Sequence, residues 1–123
     1  MQKTWSETAS YFRSLGLSRS DYASAVEGIA AVADFVASAP LNLGLYSWTS
    51  MHDLCIQQTD VFPTTGPYLR LSPRHSGLVR FRYIDTGSSL KQWVRETSPQ
   101  EAVARFKKFL EQLRWVAEIS WTN

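Results

Sequence analysis

The sequence predicts that the 123-residue chain folds as one α+β domain, with two N-terminal helices, an antiparallel meander of about five strands and a long C-terminal helix. Three patterns support this ααβββββα order. Apolar residues recur at helical spacing over residues 22–36, polar and apolar residues alternate over residues 68–95, and a helix-start motif at residues 98–101 opens a second helical run. Helices on one face of a sheet make a two-layer domain whose other face meets solvent or a partner.

The composition is that of a globular protein, with 44% hydrophobic and 20% charged residues. The single cysteine, Cys55, has no internal disulfide partner, which favours a reducing compartment. Residues 1–12 lack the basic start and apolar run of a signal peptide, and the most apolar stretch, residues 23–39, is interrupted by Glu27 and Asp34. We therefore expect a cytoplasmic protein without membrane contact.

Charge is distributed unevenly along the chain. Residues 1–66 contain three basic and six acidic residues, a net charge of −3, whereas residues 67–123 contain ten basic and five acidic residues, a net charge of +5. This polarity favours a partner with an acidic surface or association between unlike faces of two copies, although a random surface distribution would produce it as well.

The N-terminal helices are predicted from a start signal and from periodicity. Thr4 and Glu7 have the spacing of a capping box and Gly16 is a natural stop, so the first helix is expected over about residues 6–15. The expected core positions of the second helix are Tyr22, Val26, Ile29, Ala33 and Val36.

Short aromatic and apolar runs at residues 43–49 and 54–58 predict a pair of strands with a turn over residues 49–53, although residues 48–56 also fit a helical turn or two. The next hairpin is better specified, because Leu69 and Leu71 must share the core face with Val79, Phe81 and Tyr83. A five-residue loop over residues 72–76 pairs Leu71 with Gly77 and Leu69 with Val79. The opposite face then receives Tyr68, Arg70, Leu78, Arg80 and Arg82. A slip of one residue would bury the arginines, which costs too much free energy.

The fifth strand is expected over about residues 89–96. A two-residue loop, Thr86-Gly87, pairs Tyr83 with Leu90 and sends Leu90 and Val94 into the core. In that register Lys91, Trp93 and Arg95 join the arginines on the opposite face. A three-residue loop with a bulge would instead send Trp93 into the core.

The last helix has the strongest local signal, with Ser98 as N-cap, Pro99 at the first helical position and Glu101 completing a capping box. Its apolar stripe predicts a helix to about residue 119. Trp115 falls nearly opposite that stripe, so with Ile119 and Trp121 it predicts a second apolar patch and a second interface. The alternative is that the end of the chain folds back over Trp115.

Candidate catalytic groups are few. Cys55 with His52 or His75 would make a nucleophile and base, but Cys55 lies in an apolar run that is typical of an inert buried thiol. Metal-ligand sets, phosphate-binding loops and paired carboxylates are absent from the sequence, so we assign no catalytic residue, metal or cofactor.

The basic and aromatic strand face is the predicted partner-binding site, formed by Tyr68, Arg70, Arg80, Arg82, Lys91, Trp93 and Arg95. Tryptophan and arginine are enriched where proteins bind proteins. The element order resembles the architecture of immunity proteins and effector chaperones, which bind one partner. We therefore predict a small non-catalytic protein-binding module of the inhibitor, antitoxin or chaperone kind, with a homodimer as a further expectation. The alternatives are RNA or single-stranded nucleic-acid binding through the same face, a small cysteine-dependent enzyme, and a plain solvated sheet face.

Overall fold

The structure is a computed structural model that describes residues 4–18, 22–38, 44–59, 66–85 and 87–115. Within these ranges the helices are α1 (Trp5–Ser18), α2 (Ala23–Ser38) and α3 (Ala102–Leu113), and the strands are β1 (Tyr46–Ser50), β2 (Asp53–Gln57), β3 (Tyr68–Pro73), β4 (Val79–Ile84) and β5 (Trp93–Thr97). Short 3-10 turns at Ser89–Lys91 and Pro99–Glu101 precede β5 and α3. The predicted α+β class and ααβββββα order are confirmed.

The five strands form one antiparallel sheet in the order β1-β2-β3-β4-β5, and the three helices cover one of its faces. α1 packs over β1, where the Thr8 and Ser47 hydroxyl oxygens lie 3.1 Å apart. α2 crosses β3 and β4, and α3 lies over β4 and β5, where the Phe81 and Phe109 ring centroids are 5.0 Å apart. The three helices therefore all lie on one side of the sheet, and on its other side Cys55 and Gln57 are buried although no described helix covers them.

The core lies between the helix layer and the sheet. The five predicted core positions of the second helix are all buried, as are the core-facing residues of the β3–β4 hairpin. Burial of each valine, leucine, isoleucine or phenylalanine side chain among them contributes about 1.5–3 kcal/mol to folding. Although α2 is rich in apolar residues, no helix in the described ranges is long and apolar enough to cross a membrane.

The start of α1 is the predicted capping box. The Thr4 amide donates to Glu7 Oε1 at 2.9 Å, and the Glu7 amide donates to Thr4 Oγ1 at 3.1 Å. The predicted end at Gly16 is wrong, because α1 continues to Ser18. Gly16 faces α2, where a Cβ atom would lie 3.5 Å from Val26 Cγ1. Packing of α1 on α2 thus outweighs the helix-stopping tendency of glycine, which is about 1 kcal/mol.

The β3–β4 hairpin has the predicted faces but a different register. Leu69 pairs with Tyr83 and Leu71 with Phe81, not with Val79 and Gly77. The loop has the predicted five residues, but it lies two positions later than expected, because β3 continues through Pro73. An even shift preserves the alternation, so the arginines still face away from the core.

The start of α3 is only partly as predicted, because the capping box does not form, and the helix ends earlier. Ser98 is the N-cap and Pro99 the first residue of the 3-10 turn that precedes α3, but the Ser98 hydroxyl donates to the Glu101 carboxylate at 3.2 Å and does not accept a hydrogen bond from a backbone amide. The helix ends at Leu113, because Arg114 adopts a left-handed conformation with φ 59°. The Trp115 amide then donates to the Leu110 carbonyl, and the Arg114 amide to that of Glu111, both at 3.1 Å. This is a Schellman ending built without glycine.

Candidate protein-binding surface

The sheet face opposite the helices is defined here as the open face. Cross-strand partners share a face, so the strand registers assign its members. They are Tyr46, Trp48, Ser50, Asp53, Cys55, Gln57, Tyr68, Arg70, Ser72, Arg80, Arg82, Ile84, Val94 and Glu96. Four of the seven predicted partner-binding residues, Tyr68, Arg70, Arg80 and Arg82, lie together on this face.

Asp53 lies between two of the open-face arginines. Its Oδ2 atom is 2.5 Å from Arg70 Nε and 3.5 Å from Arg82 Nη2. Burial is the largest single influence on the pKa of Arg70 and lowers it, but the hydrogen bond to Asp53 and the charge interactions with neighbouring groups together outweigh burial and raise that pKa above its ordinary value. Arg82 Nη2 also donates to the Ser72 hydroxyl at 3.3 Å. Both guanidinium groups are therefore held in place.

Glu96 is the carboxylate of a second ion-pair cluster. Its Oε2 atom lies 2.9 Å from Arg80 Nε and 3.9 Å from Nε of Arg74, which is in the β3–β4 loop. Together the two clusters contain four arginines and two carboxylates. The open face therefore keeps a positive excess, but a smaller one than its arginines alone would produce.

An aromatic pair lies beside the arginines. The Trp48 and Tyr68 ring centroids are 5.1 Å apart, and in the strand register Trp48 is two positions from Arg70 across Cys55. Both side chains are half-buried. The sequence analysis missed Trp48. The alternation of Leu45 and Ser47 with Tyr46 and Trp48 indicates that Trp48 points away from the core. This signal was not used, because the sequence specified the first strand pair less clearly than the others.

The predicted register of β5 is wrong. Trp93 pairs with Tyr83 and therefore lies on the helix side, where its ring stacks on Tyr83 at 5.8 Å and approaches Phe109 at 4.8 Å. Arg95 pairs with Phe81 on the same side, and its guanidinium lies 5.4 Å from the Trp93 ring. Trp93 and Arg95 therefore do not lie on the open face as predicted, and Val94 and Glu96 lie there instead.

The cause is a longer connection between β4 and β5. Asp85 Oδ1 accepts hydrogen bonds from the amides of Gly87 and Ser88, and residues Ser89–Lys91 form a 3-10 turn where strand was expected. Lys91 is consequently in this turn and outside the sheet, and Leu90, expected in the core, is 97% exposed. The alternative prediction, a three-residue loop with Trp93 facing the core, agrees better with the structure, although the observed connection is longer than three residues.

Trp115, the first residue of the second predicted interface, packs against the core. Trp115 is half-buried, and its ring lies 6.3 Å from that of Tyr83 because the left-handed Arg114 turns the chain back towards the core. The other two members of that predicted patch, Ile119 and Trp121, lie outside the described residues. Trp115 therefore packs against the core and is only partly exposed.

The groups considered for thiol chemistry do not form a catalytic arrangement. Cys55 is on the open face but fully buried, and burial raises the pKa of its thiol to about 12. The rings of His52 and His75 instead pack against Tyr22 in the helix layer, at 5.9 and 5.2 Å. At neutral pH the Cys55 thiol is therefore protonated and shielded from substrate.

Metal ligands do not cluster either. Among the described residues, no group of three or more histidine, cysteine, aspartate or glutamate side chains is arranged to hold a metal ion. A scan against family models and searches of curated proteins and solved structures found no match for this chain.

Proposed function

We propose that this protein is a non-catalytic binding module whose open face docks a partner protein. The observation that carries the proposal is the juxtaposition of the Trp48–Tyr68 pair with the ion-paired arginines on a sheet face that the helices leave uncovered. Aromatic and arginine side chains at the centre of a contact supply most of the free energy of protein association.

The ion pairs favour protein binding in a specific way. Asp53 and Glu96 hold the Arg70 and Arg80 side chains in fixed positions before any partner arrives. Less side-chain entropy is then lost on association, because guanidinium groups that are already ordered have little freedom left to lose. A fixed arrangement also selects partners by geometry as well as by charge.

The surface implies the chemistry of its partner. The positive excess of the arginine clusters fits a partner surface that is acidic, and the half-buried Trp48–Tyr68 pair fits an apolar or aromatic anchor. A role as inhibitor, antitoxin or chaperone, acting in the cytoplasm, is consistent with a small module of this kind. A homodimer is not needed to cover Trp115, because that indole already packs on Tyr83.

Affinity isolation with two charge-matched double variants tests the proposal. The open-face variant carries Arg80→Glu and Arg82→Glu. The control carries Arg13→Glu and Lys108→Glu, which make the same charge change at exposed positions of the helix layer. Arg13 is a matched position because it also forms an ion pair, with Asp34.

Both variants are first shown to unfold cooperatively, and the polypeptides that co-purify from the protein's own cells are then quantified. We expect a polypeptide that the wild type and the control retain in stoichiometric amount and the open-face variant loses. Identical sets of polypeptides from both variants would exclude the open face as the binding site.

Nucleic-acid binding is the second candidate, and the Trp48–Tyr68 pair supports it, since bases stack on aromatic rings beside arginines. It ranks lower because Asp53 and Glu96 neutralise part of the charge that would meet phosphates. Titration with single-stranded oligonucleotides at several salt concentrations separates the two. A steep loss of affinity with salt would favour nucleic acid, and no binding at low salt would exclude it.

A further inference from the structure

One edge of the described sheet is formed by β5. Within the described ranges β5 is the last strand on its side of the sheet and pairs with β4. Arg95 Nη1 donates to the Val94 carbonyl at 2.9 Å. We infer that this carbonyl points away from β4, towards the outer edge of the sheet. In an antiparallel sheet the N–H and C=O of one residue point the same way and alternate residues share a direction, which makes Val94 and Glu96 the residues whose backbone faces outward.

The side chains along this edge are different on its two faces. On the open face β5 carries Val94, an apolar residue that is 52% exposed, and Glu96, which forms an ion pair with Arg80. On the helix side two guanidinium groups flank one aromatic pair, because Arg95 lies 5.4 Å from the Trp93 ring and Arg105 lies 5.6 Å from the Phe109 ring. An added strand would meet Val94 and the Arg80–Glu96 ion pair on one face and positive charge on the other.

We propose that β5 accepts an extended segment of the partner protein in which acidic and apolar side chains alternate. Successive side chains of a strand point to opposite faces. The acidic residues of such a segment lie beside Arg95 and Arg105, and its apolar residues pack on Val94. The segment's backbone N–H replaces the Arg95 side chain as donor to the Val94 carbonyl, which extends the sheet by one strand. This inference rests on the proposed function, and it specifies one part of the partner.

The test uses an acetylated seven-residue peptide of alternating glutamate and valine, titrated into isotope-labelled full-length protein. We expect the backbone amide signals of Trp93–Thr97 to shift with peptide concentration. A matched peptide of alternating lysine and valine should bind about tenfold more weakly, because several cross-strand charge contacts change sign. Absence of shifts at these amides, or equal binding of the two peptides, would overturn the proposal.

Two variants separate backbone pairing from general attraction. Val94→Pro removes the outward N–H and is tolerated in an outer strand, so it should abolish the shifts while the rest of the spectrum persists. Arg95→Glu leaves Arg105 in place, so it should abolish the preference for the glutamate peptide, and an unchanged preference would contradict the assignment. If the peptide fails to bind while Arg80→Glu with Arg82→Glu still loses the partner, the edge inference is wrong and the open-face proposal stands.

Discussion

Arg70 and Asp53 form an ion pair between neighbouring strands, with Arg70 Nε 2.5 Å from Asp53 Oδ2. The same carboxylate oxygen lies 3.5 Å from Arg82 Nη2 on the strand beyond. One acidic side chain thus connects β2, β3 and β4 on the face that the helices leave uncovered. The arrangement both stabilises the sheet and orders two of the proposed binding residues.

Replacement of Asp53 by asparagine should destabilise the protein and make its surface more basic. The paired side chains are only 16% and 22% exposed, so two partly buried guanidinium groups lose their counter-charge, at a cost of about 1–3 kcal/mol. Urea unfolding measures this cost, and elution from heparin should shift to higher salt. Asp34→Asn is the matched control, because the Arg13–Asp34 pair is 54% and 48% exposed and should contribute less than about 0.5 kcal/mol. Equal losses in the two variants would contradict the role of Asp53.

Stability should fall at alkaline pH through Cys55. In the unfolded chain the thiol ionises near its ordinary pKa of 9.0, whereas in the folded protein burial raises that pKa to about 12. Between these values the unfolded state binds fewer protons than the folded state, so the free energy of unfolding decreases as pH rises. Relative to Cys55→Ala, the wild type should lose about 1 kcal/mol between pH 8 and pH 10. Parallel pH profiles of the two proteins, or rapid thiol labelling of the folded wild type, would contradict a buried and protonated Cys55.

Two glycine-to-alanine substitutions should have opposite effects. At Gly28 in α2 a Cβ atom would lie 2.9 Å from Pro99 Cα and 3.0 Å from Val79 Cγ2, so we expect a loss of about 1–3 kcal/mol from overpacking. At Gly16 in α1 the nearest atom would be 3.5 Å away, an ordinary contact, and alanine should stabilise by about 0.5–1 kcal/mol. Thermal unfolding of both variants gives the comparison. A Gly28→Ala protein as stable as the wild type would mean that α2 packs less closely on the start of α3.

Met51 occupies a turn position that normally favours glycine. It links β1 and β2 with φ 58° and is 85% exposed, and the Tyr11 hydroxyl donates to its carbonyl at 3.1 Å. Met51→Gly should raise the free energy of unfolding by about 1 kcal/mol, because a left-handed conformation strains a residue with a Cβ atom. Met51→Ala keeps that strain and should not stabilise. Chemical denaturation distinguishes the two, and equal stability of the variants would argue against strain at this turn.

The sequence was most informative where short-range chemistry decides the structure. The Thr4–Glu7 capping box and the alternation from Leu69 to Phe81 specify a helix start and the faces of a hairpin with few competing arrangements. Residue spacing alone is enough for both, because each depends on contacts within one turn or one pair of strands.

The sequence was less informative where distant packing decides. The position of β5 depends on whether Leu90 or Trp93 packs on Phe109 of α3. Because this contact is between residues far apart in the sequence, no local pattern predicts it. The end of α3 depends on Arg114 adopting a conformation that glycine usually signals. In the candidate site the alternation of residues was enough to predict the face on which the arginines lie. Trp48 and the carboxylate partners Asp53 and Glu96 could be placed beside them only from the strand registers.

Site-specific photo-crosslinking in the protein's own cells tests the central claim most directly. A photoreactive amino acid is placed at Tyr68 or at Arg80 on the open face, and at Ser10, an exposed position of α1, as control. The account predicts that both open-face positions crosslink to the same polypeptide and that the Ser10 position does not. Crosslinks from Ser10 alone, or none from either sheet position, would contradict the open face as the docking surface.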